Sequence, residues 1–193
     1  MKILIVFHSV CGNTYLMAKE IYLNFRNKKV DVEMYRVKDE DLIETAKQIP
    51  IVNECLNEIL QVPIISLDKV LESDYIFLGS PTYFGNVSAE MKAFMDSFAP
   101  FWVDAKLLGK KLVSFASGGS LEGGAESCLR SINAFGQHLG MVNIPIPSNL
   151  VSGKSTYAYG LFHNSGSMGD NRLDEDCKKS ISNLVDLVVD KTF

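Results

Sequence analysis

The sequence predicts an α/β protein built on a doubly wound, five-stranded parallel sheet with the strand order 2-1-3-4-5. Short, mostly apolar runs recur along the chain without the alternation of a half-exposed strand, as expected when helices cover both faces of a parallel sheet. Between these runs, apolar residues recur every three or four positions, which is typical of helices that bury one side. Strand and helix patterns alternate along the whole chain, and this alternation favours the parallel α/β class.

Five segments are predicted as strands: residues 2–7, 30–37, 75–79, 112–116 and 141–146. Four of them are nearly continuous apolar runs, which indicates burial on both faces. The exception is the second segment (VDVEMYRV), whose alternating apolar and polar side chains suit an edge of the sheet.

Four apolar stripes predict helices between and after these strands. The stripes consist of Met17, Ala18, Ile21, Tyr22 and Phe25; of Met91, Phe94, Met95 and Phe98; of Leu129, Ile132, Phe135 and Leu139; and of Cys177, Ile181, Leu184, Val185 and Val188. The last helix has acidic residues 174–176 at its start and Lys191 at its end, the charge distribution that the helix dipole favours.

The length of the chain predicts one domain spanning residues 1–193. Residues 42–71 are predicted as an insertion after the second strand that packs on the body of the domain, with Pro50 and Pro63 on either side of a helical segment. Residues 148–170 form a long connection after the fifth predicted strand. Because connections of this length are uncommon in compact domains and are usually functional, we expect a role for this one.

The composition argues against several classes of function. A net charge of −4 disfavours a nucleic-acid-binding protein, which normally has a basic face. The apolar runs are far shorter than the roughly 20 residues that cross a bilayer. At the N-terminus, Lys2 is followed by a short apolar run and a polar turn, without the cleavage pattern of a secretory signal. We therefore expect no membrane insertion and a cytoplasmic location.

The four cysteines, Cys11, Cys55, Cys128 and Cys177, are widely separated and form no C-x-x-C pair. Clustered cysteines are the usual ligands of structural zinc and of iron–sulfur clusters. The spacing therefore predicts no metal site, and in a cytoplasmic protein the thiols are expected to be reduced.

The turn after the first strand consists of Ser9, Val10, Cys11, Gly12, Asn13 and Thr14. Its polar side chains and backbone N–H groups lead into the start of a helix, where the helix dipole favours an anion. Gly12 lets the backbone curl around a bound group, and the natural guest is a phosphate. The turn lacks the Gly-Lys-Ser/Thr of nucleoside-triphosphate loops and the G-x-G-x-x-G of dinucleotide folds. The alternative is an ordinary strand-to-helix turn with side-chain capping.

Two further turns follow predicted strands and should meet the first turn at the carboxyl edge of the sheet. In residues 79–88 (GSPTYFGNVS), Pro81 stiffens the turn, and Tyr83 and Phe84 are expected to lie exposed beside a flat heteroaromatic ring. The alternative is that both aromatic rings lie in the core. In residues 117–124 (SGGSLEGG), four glycines allow the backbone to approach a ligand closely, although a plain flexible loop would look the same.

A phosphate at the first turn, a ring at the second and backbone amides at the third together describe flavin mononucleotide (FMN). The motif S-x-x-G-N-T resembles the phosphate loop of flavodoxins. The motif PT-x-FGN-x-S at residues 81–88, the glycine-rich turn and the motif HLGM at residues 138–141 resemble the flavodoxin-like NAD(P)H:quinone oxidoreductases of the WrbA type. The resemblance covers nearly the whole chain and includes the position of Trp102.

The resemblance implies an FMN-dependent enzyme that takes hydride from NADH or NADPH and reduces quinones by two electrons. It assigns the phosphate contacts to Ser9, Val10, Cys11, Gly12, Asn13 and Thr14; the ring contacts to Pro81, Thr82, Tyr83, Phe84, Gly85 and Asn86; and the contacts to the ring edge to Ser117, Gly118, Gly119, Ser120, Glu122 and Gly123. Cys11 also matches a position that contacts the nicotinamide nucleotide, where the family more often has an aromatic residue.

The resemblance also assigns catalytic roles to two residues outside the turns. Trp102 would wall the substrate pocket, and His138 would hydrogen-bond the quinone oxygen or supply a proton. From the residues alone, His138 is better explained as a histidine that the dipole favours at a helix C-terminus.

The family resemblance further predicts a homodimer or homotetramer, because its members tend to complete their sites across subunits. Four ring-bearing residues of the long connection are therefore expected to cover the flavin or to reach a neighbouring subunit. They are Tyr157, Tyr159, Phe162 and His163.

Three rival functions stay open on the sequence. The first is a flavodoxin-type electron carrier without its own small-molecule substrate, although a net charge of −4 gives little support to the acidic docking face of such a carrier. The second is an iron–sulfur flavoprotein, which the cysteine spacing disfavours. The third is a flavin-free binding module, since a fold alone does not fix a function.

Overall fold

The computed structural model of the chain describes residues 1–120, 122–146 and 156–190. Its strands are β1 (Lys2–Phe7), β2 (Asp31–Arg36), β3 (Tyr75–Pro81), β4 (Lys111–Gly118), β5 (Val142–Asn143), β6 (Thr156–Tyr157) and β7 (Gly160–Asn164). Its helices are α1 (Asn13–Asn27), α2 (Leu42–Gln48), α3 (Asn53–Gln61), α4 (Leu67–Glu72), α5 (Ala89–Asp96), α6 (Ala99–Val103), α7 (Ala125–His138) and α8 (Glu175–Val189), with a 3-10 turn at Pro50–Val52. Within these described ranges, no helix has both the length and the apolar character needed to cross a membrane.

The sheet confirms the predicted parallel topology. β2, β1, β3 and β4 lie side by side in that order and are all parallel, and the position beyond β4 is filled from later in the chain. β6 adds a short antiparallel strand outside β7. The parallel order places the carboxyl ends of β1, β3, β4 and β7 along one edge.

The fifth position of the sheet differs from the prediction, because two separate segments occupy it. β5 pairs with the first two residues of β4, and β7 pairs with the last four. The predicted strand at 141–146 is therefore too long, and the predicted connection at 148–170 contains two strands. β5 ends where it does because the Ile144 N–H makes a bond to the Leu112 carbonyl and Pro145 then has no N–H to continue the ladder.

Helices cover both faces of the sheet, which explains the continuous apolar runs. Alternate residues of β1 point to opposite sides: Ile3, Ile5 and Phe7 pack in one apolar cluster, whereas Leu4 and Val6 pack in another. The first cluster also contains residues of α1 and α8, and the second contains residues of α5 and α7.

The segment between β2 and β3 folds as α2, the 3-10 turn, α3 and α4. α3 lies between Pro50 and Pro63, as predicted. Val52, Cys55 and Ile59 of this segment are buried in the same cluster as α1, so the segment packs on the body of the sheet. The organisation of the whole chain as one domain stays a prediction.

Candidate functional site

Loops from four strands meet at the carboxyl edge of the sheet and enclose a cavity of about 420 Å³. The residues that line it from the three predicted turns are Ser9, Val10, Cys11, Asn13, Thr14, Pro81, Thr82, Tyr83, Ser117, Gly118 and Gly119. Ile49 also lines the cavity, and so does a segment after β7 consisting of Ser165, Gly166, Ser167, Met168 and Gly169. This segment lies within the connection 148–170 for which a role was expected, but none of its residues was predicted for the site. The structure thus brings the three predicted turns together and adds a fourth wall.

The first turn places a bare helix start beside the cavity. Gly12 precedes α1 with a φ of 92°, and no side chain caps the helix, which rules out the capping alternative. Ser9, Asn13 and Thr14 are buried. A Cβ at Gly12 would lie 2.6 Å from Cys55 Sγ, so both conformation and space require glycine. Because a helix start has free N–H groups and a partial positive charge, this end of the cavity suits an anion.

Ser117 joins three of the turns. Its hydroxyl lies 2.7 Å from the Thr14 hydroxyl, and its carbonyl accepts a hydrogen bond of 2.7 Å from the Thr82 N–H. Ser117 and Thr14 are buried, so little water competes for the hydroxyl pair. The first and second turns are therefore both tied to the end of β4.

The second turn projects its tip away from the cavity. Tyr83 and Asn86 exchange backbone hydrogen bonds of 2.9 and 3.0 Å. Between them φ is positive twice, at 50° for Phe84 and 76° for Gly85, which is the geometry of a type I′ turn. Phe84, Gly85 and Asn86 lie outside the cavity lining, whereas Tyr83 is part of it. Tyr83 and Phe84 are both exposed, so the alternative of core burial is wrong.

The third turn contacts the second through two glycines. Gly124, with a φ of 86°, ends this turn and precedes α7. A Cβ on Gly124 would lie only 2.5 Å from the Gly85 Cα. The two turns therefore pack backbone against backbone. Of the residues predicted here, Ser120, Glu122 and Gly123 lie outside the cavity lining.

The fourth segment, residues 165–172, closes the cavity from the side of β7. The Ser165 N–H donates to the Gly118 carbonyl at 2.8 Å, and the Asn13 amide donates to the Gly169 carbonyl at 2.6 Å. The sequence here, GLFHNSGSMG, is an apolar run followed by glycines and serines. This is the signal that identified the other turns, and it could have identified this one.

Arg172 fastens the fourth segment to the first turn. Its guanidinium donates to the Cys11 carbonyl at 2.7 Å and to the Asn13 amide oxygen at 3.2 Å, and it pairs with Glu54 at 2.5 Å. Burial raises the pKa of the Cys11 thiol, and the positive charge of Arg172 opposes this shift without cancelling it. Cys11 is therefore a neutral thiol at neutral pH and not a thiolate nucleophile.

The structure places three of the four ring-bearing residues of the long connection away from the cavity. Phe162 and His163 are buried within β7, so the prediction that they cover a ligand or reach a neighbouring subunit is wrong. The Tyr159 ring lies against the Arg130 guanidinium, 4.0 Å from the ring centroid. The side chain of Tyr157 lies outside the described residues. Phe162 and His163 are buried because strand residues point into the layers above and below the sheet and not along its edge.

His163 gives the protein an expected pH dependence of stability. Its Nε2 donates to the Asn171 carbonyl at 2.7 Å, and burial lowers the pKa of the imidazole below the ordinary 6.5. The unfolded chain then binds this proton more readily, so the free energy of unfolding should fall as the pH drops below 6.5 towards the folded pKa. His163→Gln, which keeps an N–H donor, should flatten this slope in urea unfolding between about pH 7.5 and 5. An equal slope in the two proteins would contradict the prediction.

Within one chain, Trp102 and His138 lie far from the cavity. α7 begins with Ala125 behind the third turn and ends with His138, about 20 Å away at about 1.5 Å per residue. Val142, shortly after His138, pairs with the first residue of β4, which places His138 at the amino edge of the sheet. Trp102 precedes the start of β4 in α6 and is 63% exposed. A single copy of the chain therefore brings neither side chain to the cavity.

Solved structures with the same architecture include two flavodoxin-like proteins. A flavodoxin, WrbA-like protein from Agrobacterium tumefaciens superposes with a TM-score of 0.64 at 19% identity, covering 98% of both chains. Flavodoxin 1 from Bacillus cereus superposes with a TM-score of 0.65 at 19% identity, also covering 98% of both chains. At these identities the likeness shows the fold, which is flavodoxin-like.

Sequence relatives and a family model identify the family. A protein of Geotalea daltonii named NAD(P)H dehydrogenase (quinone) is 32% identical over 151 residues, which cover 76% of this chain and 72% of the relative. A protein of the same name from Syntrophobacter fumaroxidans is 31% identical over 156 residues, covering 81% and 76%. The family model described as NADPH-dependent FMN reductase matches residues 1–155. The chain therefore belongs to the NADPH-dependent FMN reductase family.

Proposed function

We propose that this protein is an FMN-dependent oxidoreductase that transfers electrons from NADH or NADPH to a quinone. The observation that carries the proposal is the cavity of about 420 Å³, where a bare helix start, an aromatic side chain and glycine backbone line one space. Small-molecule sites typically measure about 300–1,000 Å³. The family and the relatives named as quinone dehydrogenases support the same activity. A cytoplasmic location and the absence of nucleic-acid binding stay predictions.

The phosphate of FMN would lie at the start of α1. The backbone N–H groups of the first turn and the hydroxyls of Ser9 and Thr14 supply donors there. Asn13 holds the turn in place, because its amide is engaged with the Gly169 carbonyl. The residues present thus fit an anionic group at this end.

The flavin ring would lie between the second turn and the end of β4. Tyr83 lines this part of the cavity with an aromatic side chain, and Gly118 and Gly119 line it with bare backbone. The Thr82 hydroxyl is buried beside Gly118 and makes no geometrically regular hydrogen bond among the described residues; the Cys128 thiol interacts with it, but a thiol is a weak partner. A buried hydroxyl of this kind fits a polar atom of a bound ring.

Bound FMN would supply the redox chemistry, accepting hydride from the reduced nicotinamide and passing two electrons to the quinone. The residues of the chain bind and orient the ring and control the protons beside it. Tyr83 is 42% exposed overall, but the protein displaces water from around its phenol. This desolvation, assisted by the negative charges of Glu90 and Asp39, raises the pKa of Tyr83 to about 12. The Tyr83 phenol therefore keeps its proton at neutral pH and serves the cavity as a hydrogen-bond donor.

A second copy of the chain would complete the substrate pocket. The exposed apolar residues Trp102, Val103, Leu108 and Val142 all come from segments that flank the amino edge of β4. Exposed apolar surface of this kind is typical of an interface between proteins. A homodimer or homotetramer would bury these residues and carry Trp102 and His138 of the partner subunit over the cavity, where one chain cannot place them.

The function is tested by loading the purified protein with FMN and measuring oxidation of NADH and NADPH with and without a benzoquinone. We expect stoichiometric FMN and rapid oxidation that depends on the quinone. Tightly bound FMN without quinone-dependent turnover would instead support the electron carrier. Failure of the protein to retain FMN under any loading condition would overturn both readings.

His138→Ala tests the role of the second copy. We expect quinone turnover to fall about tenfold or more, since a positioned proton donor contributes at least this much, while the FMN content stays unchanged. The exposed neighbour on α7 provides the control, Gln137→Ala, which should turn over like the wild type. Unchanged turnover in His138→Ala would contradict the assignment, and loss of FMN would place the side chain in the cofactor site instead.

A further inference from the structure

A second group of polar side chains, His8, Asp39 and Glu90, meets directly before the first turn. His8 follows β1, Asp39 follows β2, and Glu90 lies in the first turn of α5. His8 Nε2 is 3.1 Å from Asp39 Oδ2, and His8 Nδ1 is 3.6 Å from Glu90 Oε2. One ligand atom from each residue lies within 4.8 Å of the others. None of the three residues lines the cavity assigned to FMN.

His8 has a buried nitrogen without a partner. The residue is 2% exposed, and its Nδ1 makes no hydrogen bond. In a neutral imidazole whose Nε2–H donates to the Asp39 carboxylate, Nδ1 presents its lone pair to the Glu90 carboxylate. Two electron-rich atoms that face each other in a buried site repel unless a positive charge lies between them.

The separation of these two atoms suits a metal ion better than a proton. At 3.6 Å, Nδ1 and the Glu90 oxygen are too far apart for a hydrogen bond. Two ligands that each lie about 2.1 Å from one divalent ion are about 3 to 3.6 Å apart, depending on the coordination angle. The observed separation of Nδ1 and the Glu90 oxygen therefore matches that of two ligands of one divalent cation.

Asp39 holds the histidine in the orientation that this arrangement requires. Its Oδ1 accepts a hydrogen bond of 2.9 Å from the Asp41 N–H. Its Oδ2 lies 3.1 Å from His8 Nε2, so both oxygens of the carboxylate are engaged. A carboxylate on the far nitrogen of a metal-binding histidine fixes the ring and raises its basicity.

A cavity of about 550 Å³ gives solvent access to the two carboxylates of this group. Asp39 and Glu90 both line it, together with Glu40, Asp41 and Lys38. The single lysine is paired with Glu40, so negative charge predominates. A cleft with an excess of negative charge raises the local concentration of cations.

We propose that His8 and Glu90, with Asp39 behind the imidazole, bind a divalent cation of the Mn²⁺ or Zn²⁺ class. Mixed imidazole and carboxylate ligands suit these ions, and water from the adjacent cavity completes the coordination. The site contains no cysteine, and its ligands lie at least 31 residues apart, so the cysteine spacing could not reveal it.

The test is a titration of the FMN-loaded protein with Mn²⁺, followed by the loss of the EPR signal of the free ion. Mn²⁺ is the preferred probe because the four thiols of the chain attract it far less than Zn²⁺. We expect saturable binding in the wild type, weakened about tenfold or more in Glu90→Gln and in His8→Gln. Asp39→Asn should also weaken binding, because it removes the group that orients the histidine.

The matched control is Glu44→Gln, which removes one carboxylate from an exposed position on α2 and should leave the titration unchanged. FMN content and circular dichroism verify the fold of each variant. The Glu90 side chain is 33% exposed, so Glu90→Gln preserves the test if His8→Gln does not fold. Absence of Mn²⁺ binding in the wild type, or equal binding in Glu90→Gln, overturns the proposal and leaves the cluster as a histidine held between two carboxylates.

Discussion

Replacing Gly124 by alanine is expected to lower the free energy of unfolding by about 2–4 kcal/mol and to weaken FMN binding. The new Cβ would lie 2.5 Å from the Gly85 Cα, and a backbone atom cannot move aside as a flexible side chain can. The φ of 86° adds about 1–2 kcal/mol for any residue with a Cβ. The two turns must then separate, which shifts Tyr83 at the cavity. Urea unfolding and an FMN fluorescence titration measure the two effects.

Gly109→Ala is the matched control for this substitution. Gly109 also has a positive φ, 79°, but a Cβ there would meet no atom within 4 Å. Only the conformational cost of about 1–2 kcal/mol should therefore appear, with no change in FMN affinity. Equal losses of stability and of FMN affinity in the two variants would refute the idea that the glycine contact between the turns matters.

Thr14→Val is expected to weaken FMN binding about tenfold to a hundredfold, because a hydrogen bond to a charged group contributes about 1.5–3 kcal/mol. Valine keeps the shape of threonine but removes the hydroxyl that lies 2.7 Å from the Ser117 hydroxyl at the phosphate end of the cavity. Riboflavin has the ring without the phosphate. Its affinity should therefore change much less than the affinity for FMN.

Fluorescence titrations of the apoprotein with FMN and with riboflavin measure this difference. Ser131→Ala serves as the control, since it removes an exposed hydroxyl on α7 that bonds only to the Ser127 carbonyl at 3.0 Å among the described residues. If Thr14→Val weakens both ligands equally, the hydroxyl supports the whole site and does not bind the phosphate.

The sequence was sufficient to predict β1, β3 and β4 and the turns behind them. These strands are buried on both faces, so their apolar runs are uninterrupted, and the small residues that follow mark where each strand stops. The turns lie partly within the strands, because Pro81 and Gly118 still belong to β3 and β4. Convergence of the turns then follows from parallel order alone, since parallel strands end at the same edge.

Other parts of the site depend on contacts that local pattern does not encode. Glycines and serines follow β7 as they follow the other strands, but the pairing of β7 with β4, which brings the fourth wall to the cavity, joins segments far apart in the sequence. Arg172 reaches the first turn across 161 residues. The type I′ geometry that turns Phe84 outward depends on a positive φ at a residue that rarely adopts one, which a motif cannot show.

The division of the fifth sheet position also separates two tasks along the chain. The short strand Val142–Asn143 completes the amino edge of the sheet beside the start of β4. Gly160–Asn164 pairs with the end of β4 and leads into the segment that lines the cavity. Insertions or deletions between these two stretches are therefore expected to leave the pairing of Gly160–Asn164 with β4 intact, and with it the wall of the cavity that follows this strand.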